Sequence, residues 1–378
     1  MSVRPAVLLI NSMGTGGAER AVAAAAAELG RRGRDVRILC LERAAAADTA
    51  PVARLSRMGA AGGLRKLAAL PILAVRLSRY VSRENVGVVM SHLFRANFVN
   101  VLARMVAGSR HRAIVVNHTR VSRLFSEGVQ GRINWWLCRW LYPKADLVAS
   151  VSSGAAAETA QFLRLRAGRS VTLHDPVCTA AVSGPPSPVI VCVGRLVALK
   201  RFQDVIAAFA TLAPDYPSLQ LRIVGDGPER LSLQQRCRQL GVADRVTFCG
   251  SVEEPAGLVA GSACFVSSSE TEGFGMAIVE ALAAGVPVVS SDCAFGPREI
   301  LSPSTDPRKL LQPDGDIETA PYGVLYPVGS VAALERALRA VLVDETLRAS
   351  LARCGPGRAA AFSIDRSTTE YERLLFPG

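Results

Sequence analysis

The chain has 378 residues, a hydrophobic content of 49% and a net charge of +12. This length predicts two or three domains with sizeable cores, and the lack of any run of about 18 uncharged apolar residues argues against a transmembrane helix. The nine cysteines are scattered without a CxxC pair, which indicates reduced core thiols in a cytosolic protein rather than a metal cluster.

The first predicted elements form a strand, loop, helix and strand. Residues 5–11 (PAVLLIN) have the pattern of a buried strand, a glycine loop at 14–17 follows, and residues 18–32 and 34–41 predict a helix and a second strand. This βαβ order predicts a parallel, doubly wound sheet. Because the chain runs straight into a strand without a charged n-region and cleavage pattern, a secretory signal is not expected.

Two segments of the first half combine apolar and basic residues. Residues 49–84 predict one or two helices with a cationic face, and residues 131–143 predict a helix that places Trp136 and Trp140 on one face. The basic residues of the first segment are Arg54, Arg57, Arg65, Lys66, Arg76, Arg79 and Arg83. A solvated face and a buried tryptophan are the commoner outcomes, but both patterns also suit an anionic membrane surface.

Two histidines follow predicted strands of the first half. Residues 86–91 end at His92 and residues 113–117 end at His118. Ligands bind at the carboxyl edge of open α/β sheets, so both are candidate site residues, although a lone histidine is more often structural. Strands at 145–151 and 170–173 come next, and the proline-rich, uncharged residues 176–188 predict a linker.

The second half repeats the α/β pattern. Strands are predicted at 188–193, 219–224 and 245–249, and helices at 202–213, 229–239 and 254–260. We therefore expect two domains, at residues 1–180 and 181–362. The amphipathic segment 363–378 predicts a final helix that packs back on the first domain.

Three loops of the second half carry residues suited to a phosphate-bearing sugar. The first is Gly194-Arg195-Leu196 with Lys200, the second is Gly225-Asp226-Gly227-Pro228, and the third is Glu272-Gly273-Phe274-Gly275 before a helix that holds Glu280. The cations can clamp a diphosphate, and a glycine turn at a helix N-terminus can bind phosphate. Glu272 and Glu280 share one face if the helix includes the end of the loop. The alternative is a tight turn with two solvated glutamates.

In combination, these motifs resemble the retaining, GT-B-fold glycosyltransferases of family 4. The first half is also similar, in Gly16-Gly17-Ala18-Glu19-Arg20 and in His118, and residues 292–301 and 322–329 are similar to bacterial members that build surface polysaccharides or lipid-linked oligosaccharides. The resemblance covers essentially the whole chain. It implies two Rossmann-like domains that face each other across a cleft, with residues 1–180 binding the acceptor and residues 181–362 binding the donor.

The resemblance also implies roles for single residues. His118, Glu272, Arg195 and Lys200 would be catalytic: the two cations would neutralise the leaving diphosphate, Glu272 would contact hydroxyls of the donor sugar, and His118 would hydrogen-bond that sugar. Glu280 would hold the ribose, and the loop at 14–17 would close over the phosphates. The implied donor-binding residues are Gly16, Gly17, Gly194, Arg195, Lys200, Gly227, Glu272, Gly273, Phe274, Gly275 and Glu280. His174-Asp175-Pro176 departs from the Asn-Pro that relatives often have.

The expected reaction is transfer from a nucleotide-diphosphate sugar, a UDP-sugar, to a lipid-linked or polysaccharide acceptor at the cytoplasmic membrane face, with retention of configuration. No metal or cofactor is expected, because the single DxD, Asp314-Gly315-Asp316, follows no apolar strand and predicts a surface turn. Residues 1–180 hold 26 Lys and Arg against 10 Asp and Glu, whereas residues 181–378 hold 18 against 22. The basic half favours an anionic membrane as a partner and a peripheral location.

Other readings of the sequence remain open. A nucleotide-sugar epimerase or a phosphorylase of the same fold would share the diphosphate site. A nucleic-acid-binding protein is disfavoured, because the arginines are spread over several helices and no aromatic-interleaved strand or recognition helix is present. A dehydrogenase is disfavoured because the loop at 14–17 lacks the GxGxxG pattern.

Overall fold

The computed structural model describes residues 4–14, 16–42, 53–55, 67–106, 108–122, 124, 128–179 and 184–377. The chain divides into two compact units. Unit 1 comprises Met1–Pro176 and Ile364–Gly378, and unit 2 comprises Val177–Ser363. The chain therefore leaves unit 1 at the start of the proline-rich segment and returns to it for one final helix.

Unit 1 is built on a seven-stranded parallel sheet with the order β3-β2-β1-β4-β5-β6-β7. Its strands are β1 (Ala6–Ile10), β2 (Val36–Cys40), β3 (Ala53–Arg54), β4 (Val88–His92), β5 (Arg112–Asn117), β6 (Leu147–Ser150) and β7 (Ser170–Thr172). In the central register, Leu8 of β1 lies beside Ile38 on one side and Met90 on the other. All five residues of β1 are buried, as expected for a strand that is covered on both faces.

Five helices follow in the described part of this first segment. They are α1 (Gly17–Arg31), α2 (Leu70–Arg83), α3 (Phe94–Val106), α4 (Gly128–Leu141) and α5 (Ser153–Leu163). In α2 the buried residues Leu70, Leu73 and Leu77 recur at helical spacing, which leaves a basic outer face, as predicted. Arg57, Arg65 and Lys66 of the same predicted segment lie outside the described residues.

Helix α4 differs from the commoner expectation for tryptophans. Its buried residues are Gly131, Cys138 and Leu141, so Trp136 and Trp140 project from the opposite side and are 62% and 52% exposed. Burial beneath the sheet is therefore not the outcome for these two side chains.

Unit 2 has a second seven-stranded sheet, with the order β10-β9-β8-β11-β12-β14-β13. Its strands are β8 (Ser187–Val193), β9 (Gln220–Val224), β10 (Val246–Gly250), β11 (Ser262–Ser267), β12 (Val288–Ser291), β13 (Glu318–Ala320) and β14 (Gly323–Tyr326). All pairings are parallel except that between β13 and β14. From β8 the chain winds first to β9 and β10 and then to β11 on the other side, so a topological switch point lies between β8 and β11.

The helices of unit 2 cover this sheet. They are α6 (Phe202–Leu212), α7 (Arg230–Gln239), α8 (Ala256–Val259), α9 (Met276–Ala283), α10 (Pro297–Leu301), α11 (Val331–Val343) and α12 (Glu345–Ala359). Helices α6, α7, α11 and α12 contribute to one continuous apolar core with the strands. The predicted α/β class with two doubly wound parallel sheets is confirmed.

The last helix, α13 (Ile364–Leu375), lies on unit 1. Arg32 at the end of α1 donates to Asp365 (2.7 Å) and to Glu372 (3.0 Å), and Arg34 donates to Glu372 at 2.6 Å. Tyr371 is fully buried. Ion pairs at the rim and an aromatic ring in the core thus join the end of the chain to its beginning.

Candidate functional site

The three candidate loops of unit 2 leave neighbouring strands at one edge of the sheet. They follow β9, β8 and β11, which are adjacent in the strand order. Main-chain hydrogen bonds join the loops to one another, from Leu196 N to Asp226 O (2.9 Å) and from Glu270 N to Leu199 O (2.8 Å). The three predicted loops of unit 2 are therefore brought together at the switch point, where ligands bind in sheets of this class.

Glycines permit this close approach. Gly225 has φ of +137°, and a Cβ there would overlap the carbonyl oxygen of Gly194. A Cβ on Gly227 would overlap the carbonyl oxygen of Leu196. The loops after β8 and β9 thus pack backbone against backbone, which no side chain larger than hydrogen allows.

Lys200 and Glu272 form an ion pair at this edge. Lys200 Nζ lies 2.5 Å from Glu272 Oε1, and the Ser269 hydroxyl donates to the same oxygen at 2.6 Å. The Ser268 hydroxyl donates to the carbonyl oxygen of Lys200 at 2.6 Å. The two side chains are 28% and 14% exposed, so the pair is partly desolvated and stronger than one on the surface. Both contacts fall on Oε1, which leaves Oε2 of Glu272 as an acceptor for a ligand hydroxyl.

Arg195 is exposed at the end of β8. Within the part of the chain that the structure describes it makes no ion pair, whereas the charge of Lys200 is balanced by Glu272. Arg195 is therefore the cation whose charge is least compensated at this edge. An anionic ligand here would gain most from the guanidinium, which can hold two phosphate oxygens at once.

In the turn before α9, the Phe274 side chain is buried and leaves only main-chain groups available to a ligand. The Phe274 side chain is 2% exposed and packs edge-on against Phe362, with the ring centroids 5.0 Å apart. Gly275, with φ of +107°, is the N-cap, so α9 begins at Met276. Glu272 therefore lies in the loop and not on the helix, and the condition under which it would share a face with Glu280 is not met. Glu280 lies in the last turn of α9.

A buried ion-pair network beside the site was not predicted from the sequence. Arg298 is 4% exposed and donates to both oxygens of Asp292, at 3.0 and 2.6 Å, and to Glu318 at 2.8 Å. The neighbouring Ser291 hydroxyl donates to Ser269 O at 2.7 Å. This well-satisfied network fixes the end of β12 against the loop of Glu272. An Asp directly after a strand and an Arg six residues later, in a short helix, is the signal that could have indicated it.

The glycine loop of unit 1 carries its own carboxylate. Gly16 is the N-cap of α1, and Glu19 lies in the first turn of the helix. A Cβ on Gly16 would overlap the Glu19 carboxylate, so this carboxylate lies close to the positive end of the helix dipole. Gly16 and Gly17 can offer main-chain groups to a ligand, but an anion at this end would meet the charge of Glu19.

His92 and His118 lie side by side on β4 and at the end of β5. His92 Nδ1 is 2.9 Å from His118 Nε2, and His118 Nδ1 is 3.6 Å from Asp175 Oδ2. The ring of Tyr371 stacks on His92 with the centroids 6.0 Å apart. Asp175 and Tyr371 are thus functional candidates that the sequence did not assign, although Asp175 stood out as a departure from the family pattern.

The row of Asp175, His118 and His92 favours one arrangement of protons. A carboxylate beside His118 Nδ1 favours a proton on that nitrogen, which makes Nε2 the acceptor of a bond from His92 Nδ1–H. Burial, and secondarily the charge of His118, hold the pKa of His92 well below its usual range. A bond from the His118 ring to a sugar hydroxyl would have to replace one of these two contacts.

The DxD segment forms an exposed turn. Asp316 is 80% exposed and pairs with Arg336 at 3.2 Å. Across the described ranges no group of three or more His, Cys, Asp or Glu side chains is arranged to hold a metal ion. None of the helices in those ranges is both long and apolar enough to cross a bilayer.

The chain is similar to several known proteins in sequence and in fold. A curated relative from Campylobacter jejuni, N-acetylgalactosamine-N,N'-diacetylbacillosaminyl-diphospho-undecaprenol 4-alpha-N-acetylgalactosaminyltransferase, is 26% identical over 317 residues, which is 81% of each chain. Sucrose-phosphate synthase from Thermosynechococcus elongatus has a TM-score of 0.81 at 19% identity over 98% of both chains. Anabaena HepE in complex with UDP and glucose has a TM-score of 0.78 at 21% identity, over 99% of this chain and 100% of its own.

These structural likenesses extend over nearly the full length of the chain and show the GT-B fold, as predicted. Two protein-family models also match: Glycosyltransferase Family 4 over residues 15–180 and Glycosyl transferases group 1 over residues 181–357. Because the two matches together take in nearly all of both units, and the relative that spans them is itself a glycosyltransferase, the chain belongs to glycosyltransferase family 4.

Proposed function

We propose that the protein moves a sugar from a UDP-sugar to a lipid-linked or polysaccharide acceptor, with retention of configuration and without a metal ion. The observation that carries the proposal is the pairing of Lys200 with Glu272 at the switch point of unit 2, where Arg195 makes no ion pair with any described residue. Anabaena HepE, which shares the fold, holds UDP and glucose. The Campylobacter jejuni relative is named for a diphospho-undecaprenol substrate.

In this proposal the cations stabilise the charge that develops on the leaving diphosphate. Glycosyl transfer makes an oxocarbenium-like centre and an anionic leaving group, and preorganised charge at that group supplies the largest share of catalysis. Arg195 binds the diphosphate directly, and Lys200 turns from Glu272 towards it. Gly194 and Gly227 keep the loops close, and the amides of Gly273, Phe274 and Gly275 contact sugar or phosphate.

The carboxylates accept hydrogen bonds from hydroxyl groups of the donor. Glu272 accepts from a sugar hydroxyl through Oε2, and Glu280 accepts from the ribose. His118 hydrogen-bonds the donor sugar, and Gly16 and Gly17 of unit 1 contribute main-chain groups. The departing phosphate takes the proton of the acceptor hydroxyl, which attacks on the same face as the leaving group and so retains the configuration.

The acceptor side of the proposal rests on unit 1. The excess of Lys and Arg over residues 1–180 favours an acceptor with an anionic diphosphate and a location at the inner face of the plasma membrane. A peripheral attachment of this kind weakens with salt, because exposed charges are screened.

A donor screen tests the proposal. The protein is incubated with UDP-, GDP- and ADP-sugars, and the released nucleoside diphosphate is measured together with the thermal shift caused by each nucleotide. We expect UDP-sugars to give the largest shift, and Arg195→Ala to lower turnover by ~100-fold or more. Arg336→Ala, which removes an exposed cation of unit 2 away from these loops, is the control. If Arg195→Ala keeps wild-type turnover and UDP affinity, the diphosphate assignment is wrong.

A further inference from the structure

The outer side of α4 carries a stripe of exposed apolar side chains. Val129, Trp136 and Trp140 are 67%, 62% and 52% exposed. They are seven and four residues apart, so at about 100° per residue they point within ~40° of one another along ~16 Å of helix. Tryptophan is highly buried on average. Two exposed indoles on one stripe therefore indicate a surface that binds a partner.

The helix cannot turn to bury this stripe. On its inner side Cys138 and Leu141 are fully buried, and the Trp135 ring packs edge-on against Phe162 with centroids 5.4 Å apart. Helix α3 packs against both α4 and α2. Helices α3 and α2 each carry one exposed apolar residue, Met105 and Ile72 respectively. The exposed stripe thus lies on a helix whose opposite side is fixed by packing within unit 1.

The same helices are basic throughout. The sequences of α2, α3 and α4 contain no Asp or Glu. The exposed basic residues on α2 and α4 and directly after α4 are Arg76, Arg79, Arg83, Arg132, Arg139 and Lys144. The Lys144 ammonium lies 4.2 Å from the centroid of the Trp140 ring and donates to the Trp140 carbonyl at 2.8 Å. On α4 and directly after it, the apolar stripe and the cations Arg132, Arg139 and Lys144 therefore form one surface.

This combination of side chains fits the interface of a bilayer that contains anionic lipids. Indole rings prefer the level of the headgroups, and flanking Lys and Arg meet lipid phosphates. Single-stranded nucleic acid would also accept tryptophan and arginine, but the aliphatic Val129 offers nothing on which a base can stack. Hydrocarbon accommodates all of these apolar residues.

We propose that Val129, Trp136 and Trp140, with Arg132, Arg139 and Lys144 around them, form a membrane-docking face. The three apolar side chains enter the headgroup region, and the cations bind the phosphates of anionic lipids. The inference deepens the proposed function, on whose membrane location it rests, by naming the surface that makes the contact. It would hold unit 1 against the bilayer that contains lipid-linked acceptors.

Vesicle flotation of the full chain tests the docking face. The probes are vesicles with ~30% phosphatidylglycerol and vesicles of phosphatidylcholine alone, each at low and high salt. We expect binding to the anionic vesicles at low salt, and a blue shift of tryptophan fluorescence on binding. The double variant Trp136→Ser, Trp140→Ser should lower the affinity at least about tenfold, and Arg132→Glu with Lys144→Glu should abolish the preference for anionic lipid.

The matched control is the double variant Leu231→Ser, Val343→Ser of unit 2. In the native protein these two apolar residues are 73% and 68% exposed. This variant should bind vesicles as the native protein does. Melting temperatures of all variants show whether unit 1 remains folded, and a single-stranded RNA of mixed sequence serves as a competing polyanion.

The outcomes separate the docking face from the catalytic proposal. If the native protein does not bind anionic vesicles, binds neutral ones equally well, or binds RNA in their place, the docking face is refuted. Native binding that survives the tryptophan double variant refutes it as well. A protein that docks as expected but shows no thermal shift and no turnover with nucleotide sugars supports the docking face and contradicts the proposed reaction.

Discussion

The ion pair of Lys200 and Glu272 joins two residues to which the family resemblance assigns separate tasks. Lys200 was expected at the diphosphate and Glu272 at the sugar, yet their side chains lie 2.5 Å apart. Each side chain therefore helps to hold the other in place. Their contributions to catalysis should depend on one another, as those of contacting residues do.

A double-mutant cycle measures this dependence. We expect Lys200→Met and Glu272→Gln each to lower kcat/KM for the donor by about 100-fold. The double variant should lose less than the product of the two, because the first substitution already leaves the partner misplaced. Turnover of UDP-sugar is the measurement. Strictly multiplicative losses would mean that the two residues act independently.

Asp175 is predicted to set the proton position on His118. Asp175→Asn removes the charge next to Nδ1, so the ring no longer favours the tautomer in which Nε2 accepts from His92. We expect kcat to fall by about tenfold while the thermal shift with UDP stays unchanged, because the nucleotide is assigned to unit 2.

The matched control is Asp365→Asn. The native Asp365 carboxylate belongs to the same unit and is 82% exposed, so this substitution should leave kcat unchanged. A loss of UDP affinity in Asp175→Asn, or a normal kcat, would contradict the assigned role of Asp175.

Some side-chain positions in the site could be predicted from the sequence and others could not. Parallel strands end at a common edge, so the order of the motifs sufficed to place Arg195, Gly227 and Glu272 near one another. It could not show that the Phe274 side chain is buried, because side-chain direction depends on packing against Phe362 far along the chain. The contact of Tyr371 with His92 joins positions that no local pattern relates.

At the scale of elements, the turn between β9 and α7 depends on glycine. Gly225 combines a positive φ with a carbonyl oxygen where a Cβ would lie. The turn therefore fixes the spacing of the loops after β8 and β9, and through it the position of the expected diphosphate site.

Gly225→Ala should destabilise unit 2 by about 3 kcal/mol or more, since the chain must shift to admit the methyl group. Gly257→Ala is the control, because a Cβ on Gly257 in α8 meets nothing within 4 Å, and we expect a change below about 1 kcal/mol. Calorimetry measures both. Equal stability of the two variants would show that the loop after β8 moves freely.

Element bounds were predicted closely for several elements with a periodic pattern, although the periodic helix α11 was missed. Strand β1 and helix α6 lie within a residue or two of their expected ends, because a buried strand and an amphipathic helix leave clear spacing in the sequence. The elements between residues 297 and 359 were not predicted. Several of them, such as α10 and β13, are short and held by Arg298 and its partners rather than by local preference.

At the scale of the whole molecule, the two units differ in their content of histidine and tryptophan. All four histidines and all three tryptophans of the chain belong to unit 1. Any effect of pH on stability that depends on histidine therefore falls on one unit only, and tryptophan fluorescence follows that same unit.

Acidification is predicted to destabilise unit 1 first. The pKa of His111 is lowered from 6.5 to about 4, mainly by burial and then by Arg104, with Asp146 opposing, and that of His92 is lowered by burial and by His118. The native state therefore binds fewer protons than the unfolded state below pH 6.5. The contribution of these two histidines to the free energy of unfolding of unit 1 is fully present above that pH. It falls as the pH is lowered towards 4, by up to about 1.4 kcal/mol per pH unit for each histidine.

Urea unfolding of unit 1, followed by tryptophan fluorescence at pH 7 and pH 5, measures this loss. His111→Gln should reduce the dependence on pH, because one of the two titrating groups is removed. A midpoint of unit 1 that does not change between pH 7 and pH 5 would contradict the prediction.

The connection between the units also has a consequence for synthesis. Val177 and Ser363, the first and last residues of unit 2, form a bridge to one another, so this unit is a continuous stretch whose two ends meet. Unit 1, by contrast, lacks Tyr371 and the partners of Arg32 on α13 until residues 364–375 have been made. On the ribosome the second unit can therefore complete its fold while the first still waits for its closing helix, the reverse of the usual order from the N-terminus.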